Sequence, residues 1–380
     1  MFSFFMPQSV HFGRGQRHNA AKFAKRFGNN VLVVHGSNAT RAEWLVEACG
    51  DHGLTVSAMG CENEPALPDI EQSLRRYAGC RPDVILALGG GSVIDFAKAI
   101  SALMRCGGPV KAYLEVVGEG RALEKDPIPV IALPTTAGTG SEVTKNAVIT
   151  IPDEGIKVSL RDPRMVPMIA IVDADLMQGA PKLVVLSTAL DAVTQVIEPY
   201  LSIKANPMTD ALCRAAIPTG LRSLRRVVEH DDAAAWDEMA WVSTCGGLAL
   251  ANAGLGAVHG FAGVIGGKTN APHGEICGAL LPSVLRSHSE HAVEGTRMYR
   301  RVRWVQSQLD EHFGTPDSGN GISALALWSA NMGLRNLTEI GLSDEYFIEV
   351  AHASQNTSSM KGNPFSLGID ELVTILKNAS

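Results

Sequence analysis

The sequence predicts an α/β layer followed by an all-helical second half, and two patterns carry that expectation. In the first 180 residues, the runs NVLVVHG, LTVSAMG, DVILALGG and PVIALPTTAG are apolar without polar alternation. Such runs suit strands buried on both faces of a parallel sheet. Helical periods in ATRAEWLVEACGDHG, PDIEQSLRRYAG and SVIDFAKAISALM separate them, and this repetition builds a doubly wound layer. AVITI, KVSL and MIAIVDADL are expected to extend or flank that sheet. From Lys182 onward no stretch reads as a strand, and helices are expected over 182–201, 206–229, 233–252, 275–287, 289–313, 319–336, 343–355 and 368–378. The change of character near 178–182 marks a domain boundary, giving domains 1–180 and 181–380 with a site expected in the cleft between them.

Size and composition agree with two soluble domains. The chain has 380 residues, 46% of them hydrophobic and 19% charged, which is globular rather than disordered. A net charge of -6 offers no basic footprint for nucleic acid, and no apolar run approaches the roughly 18–20 residues that span a bilayer. The start, MFSFFMPQSV, lacks a basic leader region and is interrupted by Pro7, so it reads as no signal peptide. Seven cysteines (Cys49, Cys61, Cys80, Cys106, Cys213, Cys245 and Cys277) are odd in number, spread out and free of C-x-x-C pairs. That usage suits a reduced, cytoplasmic protein whose thiols are structural.

Four stretches carry chemistry. DVILALGGGSVIDFAKAI places Gly89-Gly90-Gly91-Ser92 between a strand and a helix. Glycines let the backbone approach a ligand, and the helix start offers free N–H groups and a positive dipole end, which together make a pyrophosphate cradle. Gly13-Arg14-Gly15 is a weaker candidate, with His18 at the third glycine position and no clear unit before it. GVIGGKT, 263–269, has three residues where a P-loop has four, so a P-loop NTPase is excluded. PTTAGTGSEVTKN follows a strand with hydroxyls and glycines suited to nucleotide or substrate.

The third is STALDAVTQVIEPY, where Thr188, Asp191, Gln195 and Glu198 recur along one helical face. Alone, that stripe reads best as the solvated side of an amphipathic helix. His259 and His273, in GAVHGFAGVIGGKTNAPHGEICGALLP, stand in small, apolar surroundings. They are either satisfied core histidines or, with an inward Asp191, an imidazole–imidazole–carboxylate set for a divalent metal.

Together GGGSVIDFAKAI, PTTAGTGSEVTKNAVIT, ALDAVTQVIEPYLS, GAVHGFAGVIGGKTNAPHGEICGALLP and SSMKGNPFSL resemble the iron-containing (group III) alcohol dehydrogenase family, which includes the maleylacetate reductases. The resemblance runs from SVHFGRG to SSMKGNP. It implies an α/β N-terminal dinucleotide-binding domain and an all-α C-terminal domain, an architecture shared with dehydroquinate synthase. It also implies hydride transfer between NAD or NADP and a small alcohol or carbonyl compound, a divalent metal (iron, with zinc as alternative) and a homodimer. Matched to the family's motifs, Gly90, Gly91 and Ser92 hold the pyrophosphate. Asp95, Thr135, Thr136, Thr139, Asn146 and Lys157 match further cofactor-contacting positions. Asp191, His259 and His273 match three of four metal ligands, with His259 and His273 as the catalytic residues.

This sequence departs from the family at two site positions. Gln195 stands where the fourth ligand is a histidine, and Gly263 where a further histidine is usual. Asp191 and Gln195 lie about 40° apart on a helix, so both can face one centre, and the amide oxygen is a weaker donor than imidazole. The site therefore holds metal with Gln195 or water as the fourth ligand, holds it weakly, or works without it through a histidine proton donor, as maleylacetate reductases suggest. His35-Gly36-Ser37-Asn38, where an acidic residue is common, leaves NAD and NADP both open. Lys268 favours an anionic substrate or is a solvated surface lysine. The rival classes are a dehydroquinate synthase-like lyase and a nucleotide-binding protein without turnover.

Overall fold

The computed structural model describes residues 1–269, 271–314 and 319–380. The chain divides into two units, one of Phe5–Thr136 with Gly140–Gln178, the other of Gly179–Ser380 with Met1–Phe4 and Ala137–Thr139.

The first unit runs β1 (Ser9–Phe12), α1 (Ala20–Ala24), β2 (Asn30–His35), α2 (Glu43–Asp51), β3 (Thr55–Gly60), α3 (Leu67–Arg76), β4 (Val84–Gly89), α4 (Gly91–Leu103), β5 (Val130–Pro134), β6 (Asn146–Ile151), β7 (Ile156–Arg161) and β8 (Ile169–Val172). Six strands form a parallel sheet in the order β1-β8-β5-β4-β2-β3. Leu32, Val34, Ile85 and Ala87 enter one core, while Val31, Val33, Val84 and Leu86 enter another. Neither face of β2 or β4 meets water, which is why these runs show no polar alternation. The chain leaves β2 outward to β3 and returns on the other side of β2 as β4. The strand order therefore reverses between β2 and β4, where open α/β sheets bind ligands.

Of the three later runs, β8 joins the main sheet between β5 and β1, whereas β6 and β7 pair only with each other, as an antiparallel hairpin. β1, four residues at the sheet edge, precedes Gly13 and was too short to signal a strand in sequence.

The second unit holds α5 (Lys182–Leu201), α6 (Pro207–His230), α7 (Ala233–Ala253), α8 (Ala257–Thr269), α9 (His273–His291), α10 (Arg297–Phe313), α11 (Gly321–Asn331), α12 (Phe347–Gln355) and α13 (Ile369–Asn378). No strand occurs among its described residues. Local chemistry sets the ends: Asn206 and Thr209 form a capping box before α6, Asp232 caps α7, and Gly254, at φ +69°, stops it. The stretch expected as one helix over 289–313 is broken because Gly295 takes φ +84° and Thr296 caps a new helix through the Tyr299 N–H. α8 was not foreseen, since its glycines disfavour helix. Packing overrides propensity there: a Cβ on Gly260 would lie 3.0 Å from Met360 Cε. Among the described residues no single helix is long and apolar enough to cross a membrane.

Helix α5 packs against α6, α7 and α9, and this corrects the reading of its polar stripe as a solvated face. Asp191 and Gln195 are each 2% exposed and Glu198 3%. Thr188 spends its hydroxyl on the Val184 carbonyl. A stripe this deeply buried requires partners for every polar group.

Candidate metal centre and phosphate cradle

The turn after β4 is dictated by sterics. A Cβ on Gly89 would lie 2.5 Å from Val93 Cβ, and one on Gly90 would lie 3.3 Å from the Thr136 side chain. Gly90 is the N-cap of α4 and has no side chain to satisfy the first free N–H groups, which stay available to an anion. The Thr135 N–H donates to the Gly89 carbonyl at 2.9 Å, setting Thr135 and Thr136 beside the glycines. The fit to a pyrophosphate is therefore a space that a Cβ would fill.

Other residues matched to cofactor positions have protein partners. Asp95 accepts from the Ser141 hydroxyl, from the Val148 N–H at 2.9 Å and from Lys98 Nζ at 2.9 Å. Lys98, fully buried, also donates to the Ser141 carbonyl and the Thr144 hydroxyl. Burial pushes its pKa down, against the raising effect of Asp95. Asp95 thus fastens the hydroxyl-rich loop and β6 to α4. Lys157 Nζ lies 2.5 Å from Glu64, and Asn146 opens β6 opposite Arg161. Ser92 lies in the first turn of α4, and Thr139 falls in the segment Ala137–Thr139 assigned to the helical unit.

The metal donors converge within the helical unit. His259 Nε2 stands 3.3 Å from Asp191 Oδ1, and His273 Nε2 stands 3.9 Å from the same oxygen. Cys277 Sγ joins them at 3.9 Å from His259 Nε2 and 3.6 Å from His273 Nε2. One donor atom from each of the four residues lies within 4.8 Å of all the others. Glycines permit this convergence. A Cβ on Gly274 would lie 2.3 Å from the Ser187 carbonyl oxygen, and one on Gly278 2.7 Å from Leu190 Cδ1. Gly274 and Gly278 let α9 close on α5, which carries His273 and Cys277, one turn apart, up to Asp191.

Two observations test the fit to a cation. Asp191 Oδ1 is buried without a hydrogen-bond partner, a costly condition that a bound cation would relieve. Tetrahedral ligation with bonds of about 2.0–2.3 Å puts donors about 3.3–3.8 Å apart; four of the six donor separations run from 3.3 to 3.9 Å, and all six lie within 4.8 Å. Glu198 completes the arrangement. Its Oε2 accepts from His259 Nδ1 at 2.6 Å, and its Oε1 accepts from the Val258 N–H at 2.7 Å. A carboxylate only accepts, so Nδ1 carries a proton, and Nε2 is the nitrogen left to a bound cation.

The field at this centre is negative. Burial lowers the proton affinity of His259, but Cys277, Glu198 and Asp191 carry its pKa well above the ordinary value. His273 is raised likewise by Cys277 and Asp191 against its burial. The same negative groups that favour protons on these imidazoles favour a cation there.

Gln195 does not point its amide nitrogen at this centre. Nε2 donates to the Gly138 carbonyl at 2.7 Å, and the Cβ lies where Gly246 leaves room for it on α7. Gly138 in turn presses on Thr188 so closely that a Cβ there would sit 3.0 Å away. Lys268 is paired with Glu349 at 2.8 Å and lies over the Tyr346 ring. The sequence places Glu198 in the polar stripe and Cys277 among the structural thiols, and assigns neither a role at the site. The signal that was available for Cys277 is its spacing of four from His273.

A glycine turn with the form of a phosphate cradle and a buried cluster of four candidate metal donors are the features expected of a metal-assisted dehydrogenase. The family model described as iron-containing alcohol dehydrogenase matches residues 7–174, and that of the Fe-containing alcohol dehydrogenase family, C-terminal, matches 185–380. The chain belongs to the iron-containing alcohol dehydrogenase family and is an oxidoreductase. It is 33% identical to the probable alcohol dehydrogenase EutG of Escherichia coli over 98% of this chain and 93% of that one. It is 28% identical to the NAD-dependent methanol dehydrogenase of Bacillus methanolicus over 100% of both. The crystal structure of a 1,3-propanediol oxidoreductase covers 100% of both chains with a TM-score of 0.89 at 26% identity.

Proposed function

We propose that the chain interconverts a small alcohol and its aldehyde or ketone at a cation held by Asp191, His259 and His273, with NAD or NADP as hydride carrier. The observation that supports this most is the unpartnered, buried Asp191 Oδ1 facing two imidazole nitrogens. When bound, the metal acts as a Lewis acid on the substrate oxygen, worth several kcal/mol of developing charge. The nicotinamide accepts or supplies the hydride.

The protein's own residues hold these groups. Gly89, Gly90, Gly91 and Ser92 receive the pyrophosphate on main-chain N–H groups, beside Thr135 and Thr136. Asp95 acts indirectly, by fixing Ser141 and the strand that begins at Asn146. His259 and His273 are the catalytic imidazoles, and Glu198 keeps His259 in the tautomer a ligand needs. No carboxylate stands in His35–Asn38 at the end of β2, next to β4, so a 2′-phosphate meets no repulsion there. A homodimer in the cytoplasm belongs to the same proposal, supported by the family resemblance and by seven free cysteines.

The test is NAD(P)H absorbance across a panel of short alcohols, aldehydes and ketones, with native protein and Asp191→Ala. Native turnover with a net change in NAD(P)H, and a loss of at least about 100-fold in kcat/KM in the variant, are expected. Full activity in Asp191→Ala would end the metal-assisted reading. Turnover without a net change would favour a lyase.

A further inference from the structure

We propose that Cys277 is a thiolate ligand of this metal centre, filling the place that the resemblance gives to residue 195, and that Gln195 is a positioning residue. The inference rests on the reading of Asp191, His259 and His273 as a metal site, and it concerns what this particular chain does there. Cys277 is fully buried on α9 one turn after His273. Its sulfur lies 3.6 and 3.9 Å from the two ligand nitrogens, close to the spacing expected of two donors on one ion with a sulfur bond of about 2.3 Å. The second observation is independent of the cysteine: Asp191 Oδ1, aimed into the same cluster, is buried and unpartnered.

Gln195 commits its amide nitrogen to another partner. Its amide hydrogen bond to Gly138 fastens Ala137–Thr139 to α5, and its Cβ is set against Gly246. A histidine in its place would lose that bond to reach the centre. On this proposal one imidazole is exchanged for a sulfur that enters from the adjacent helix.

The exchange has chemical consequences. The thiol proton is released to solvent as the metal binds, leaving a sulfur ligand with a full negative charge. An Asp/His/His/thiolate set carries one more negative charge than Asp/His/His/amide, and thiolate favours softer ions. The centre accordingly selects zinc over ferrous iron, although the family takes its name from iron.

Replacing the bound metal of the native protein by Co(II) gives a direct readout, because only a sulfur ligand produces an intense near-ultraviolet sulfur-to-cobalt charge-transfer absorption. The native protein and Gln195→Ala are expected to show that absorption with one cobalt per chain. Cys277→Ser, which keeps the other six cysteines, is expected to lose it and to weaken zinc by at least about 100-fold, more than the loss of an outer hydrogen-bond partner costs. The variant's preference for zinc over ferrous iron falls at the same time. Stoichiometric cobalt in the native protein without the absorption overturns the thiolate and leaves the metal site standing. The same absorption surviving in Cys277→Ser, or vanishing in Gln195→Ala, overturns it too. Failure of native protein to retain any cobalt sinks the metal site and the thiolate together. The native spectrum decides the matter even where a variant does not fold.

Discussion

At the turn after β4 the protein offers main-chain N–H groups, and what the sequence contributes is the absence of Cβ atoms at Gly89 and Gly90. At the metal centre it offers side chains from α5, α8 and α9, and glycines matter only in letting those helices approach. The first site is local, built by consecutive residues at one strand end. The second is non-local, assembled from positions up to 86 residues apart, Asp191 to Cys277. Damage should therefore stay separable: a lesion in one unit abolishes one kind of binding and spares the other.

The strongest attempt to break that separation is Asp95→Asn. It removes the carboxylate paired with buried Lys98, leaving the Coulombic attraction of Glu142, and removing one member of a buried ion pair costs about 3–5 kcal/mol. Thermal unfolding is expected to fall sharply and nucleotide affinity with it, while zinc per folded chain stays unchanged. An unaltered melting temperature would mean that the Lys98–Asp95 pair holds nothing together.

Gly274→Ala is the corresponding lesion in the helical unit. Its Cβ would collide with the Ser187 carbonyl at 2.3 Å. Such overpacking against backbone costs about 1–3 kcal/mol, and relief comes by moving α9, with His273 and Cys277, off α5. The expected result is a poorly metallated protein that still binds NADH. Full metal content in Gly274→Ala would show that the donors converge without this helix contact.

Glu198→Gln is smaller and sharper. An amide in place of the carboxylate weakens the grip on His259 Nδ1, and losses of this kind lower metal affinity by about 10–100-fold. Dissociation constants for zinc and for NADH, measured on the same preparation, should move apart. An unchanged zinc constant would reduce Glu198 to a structural hydrogen bond to Val258.

The same contrast explains what could be read from sequence. The β4–Gly–α4 turn was legible because strand, glycines and helix are contiguous, and sheet burial writes itself as unbroken apolar runs. Helices α5 to α7 were legible through period and caps. The polarity of α5 misled, because a periodic stripe says which residues share a face and nothing about what covers it. α7 and α9 cover this one with small residues, Gly246, Gly274 and Gly278. Cys277 was invisible for a related reason: ligand spacing within one helix is weak unless a partner helix presents the rest of the set. α8 was hidden by its own glycines, whose use appears only in the packing.

Helix α9 carries metal donors at its start and an ion pair at its end, which allows a finer cut. His291 Nε2 lies 2.6 Å from Glu371 on α13, and Nδ1 lies 2.8 Å from the Ser287 carbonyl. The Ser287 carbonyl, and then Glu371, raise the His291 pKa above 6.5, while the Gly368 N–H and His291 lower that of Glu371 below 4.5. A raised imidazole pKa stabilises the fold fully below pH 6.5 and loses that contribution as pH climbs through the folded value. A lowered carboxyl pKa stabilises above pH 4.5 and is lost as pH falls through its folded value. The pair therefore works best between about pH 4.5 and 6.5. Both groups are partly exposed, so the contribution after screening is below about 1 kcal/mol. His291→Gln should lower stability toward denaturant at pH 5.5, match the native protein at pH 9, and leave the cobalt absorption untouched at both. A variant that lost metal with the ion pair would show that the far end of α9 still governs the near one, and the boundary of the side-chain site would have to be drawn at α13.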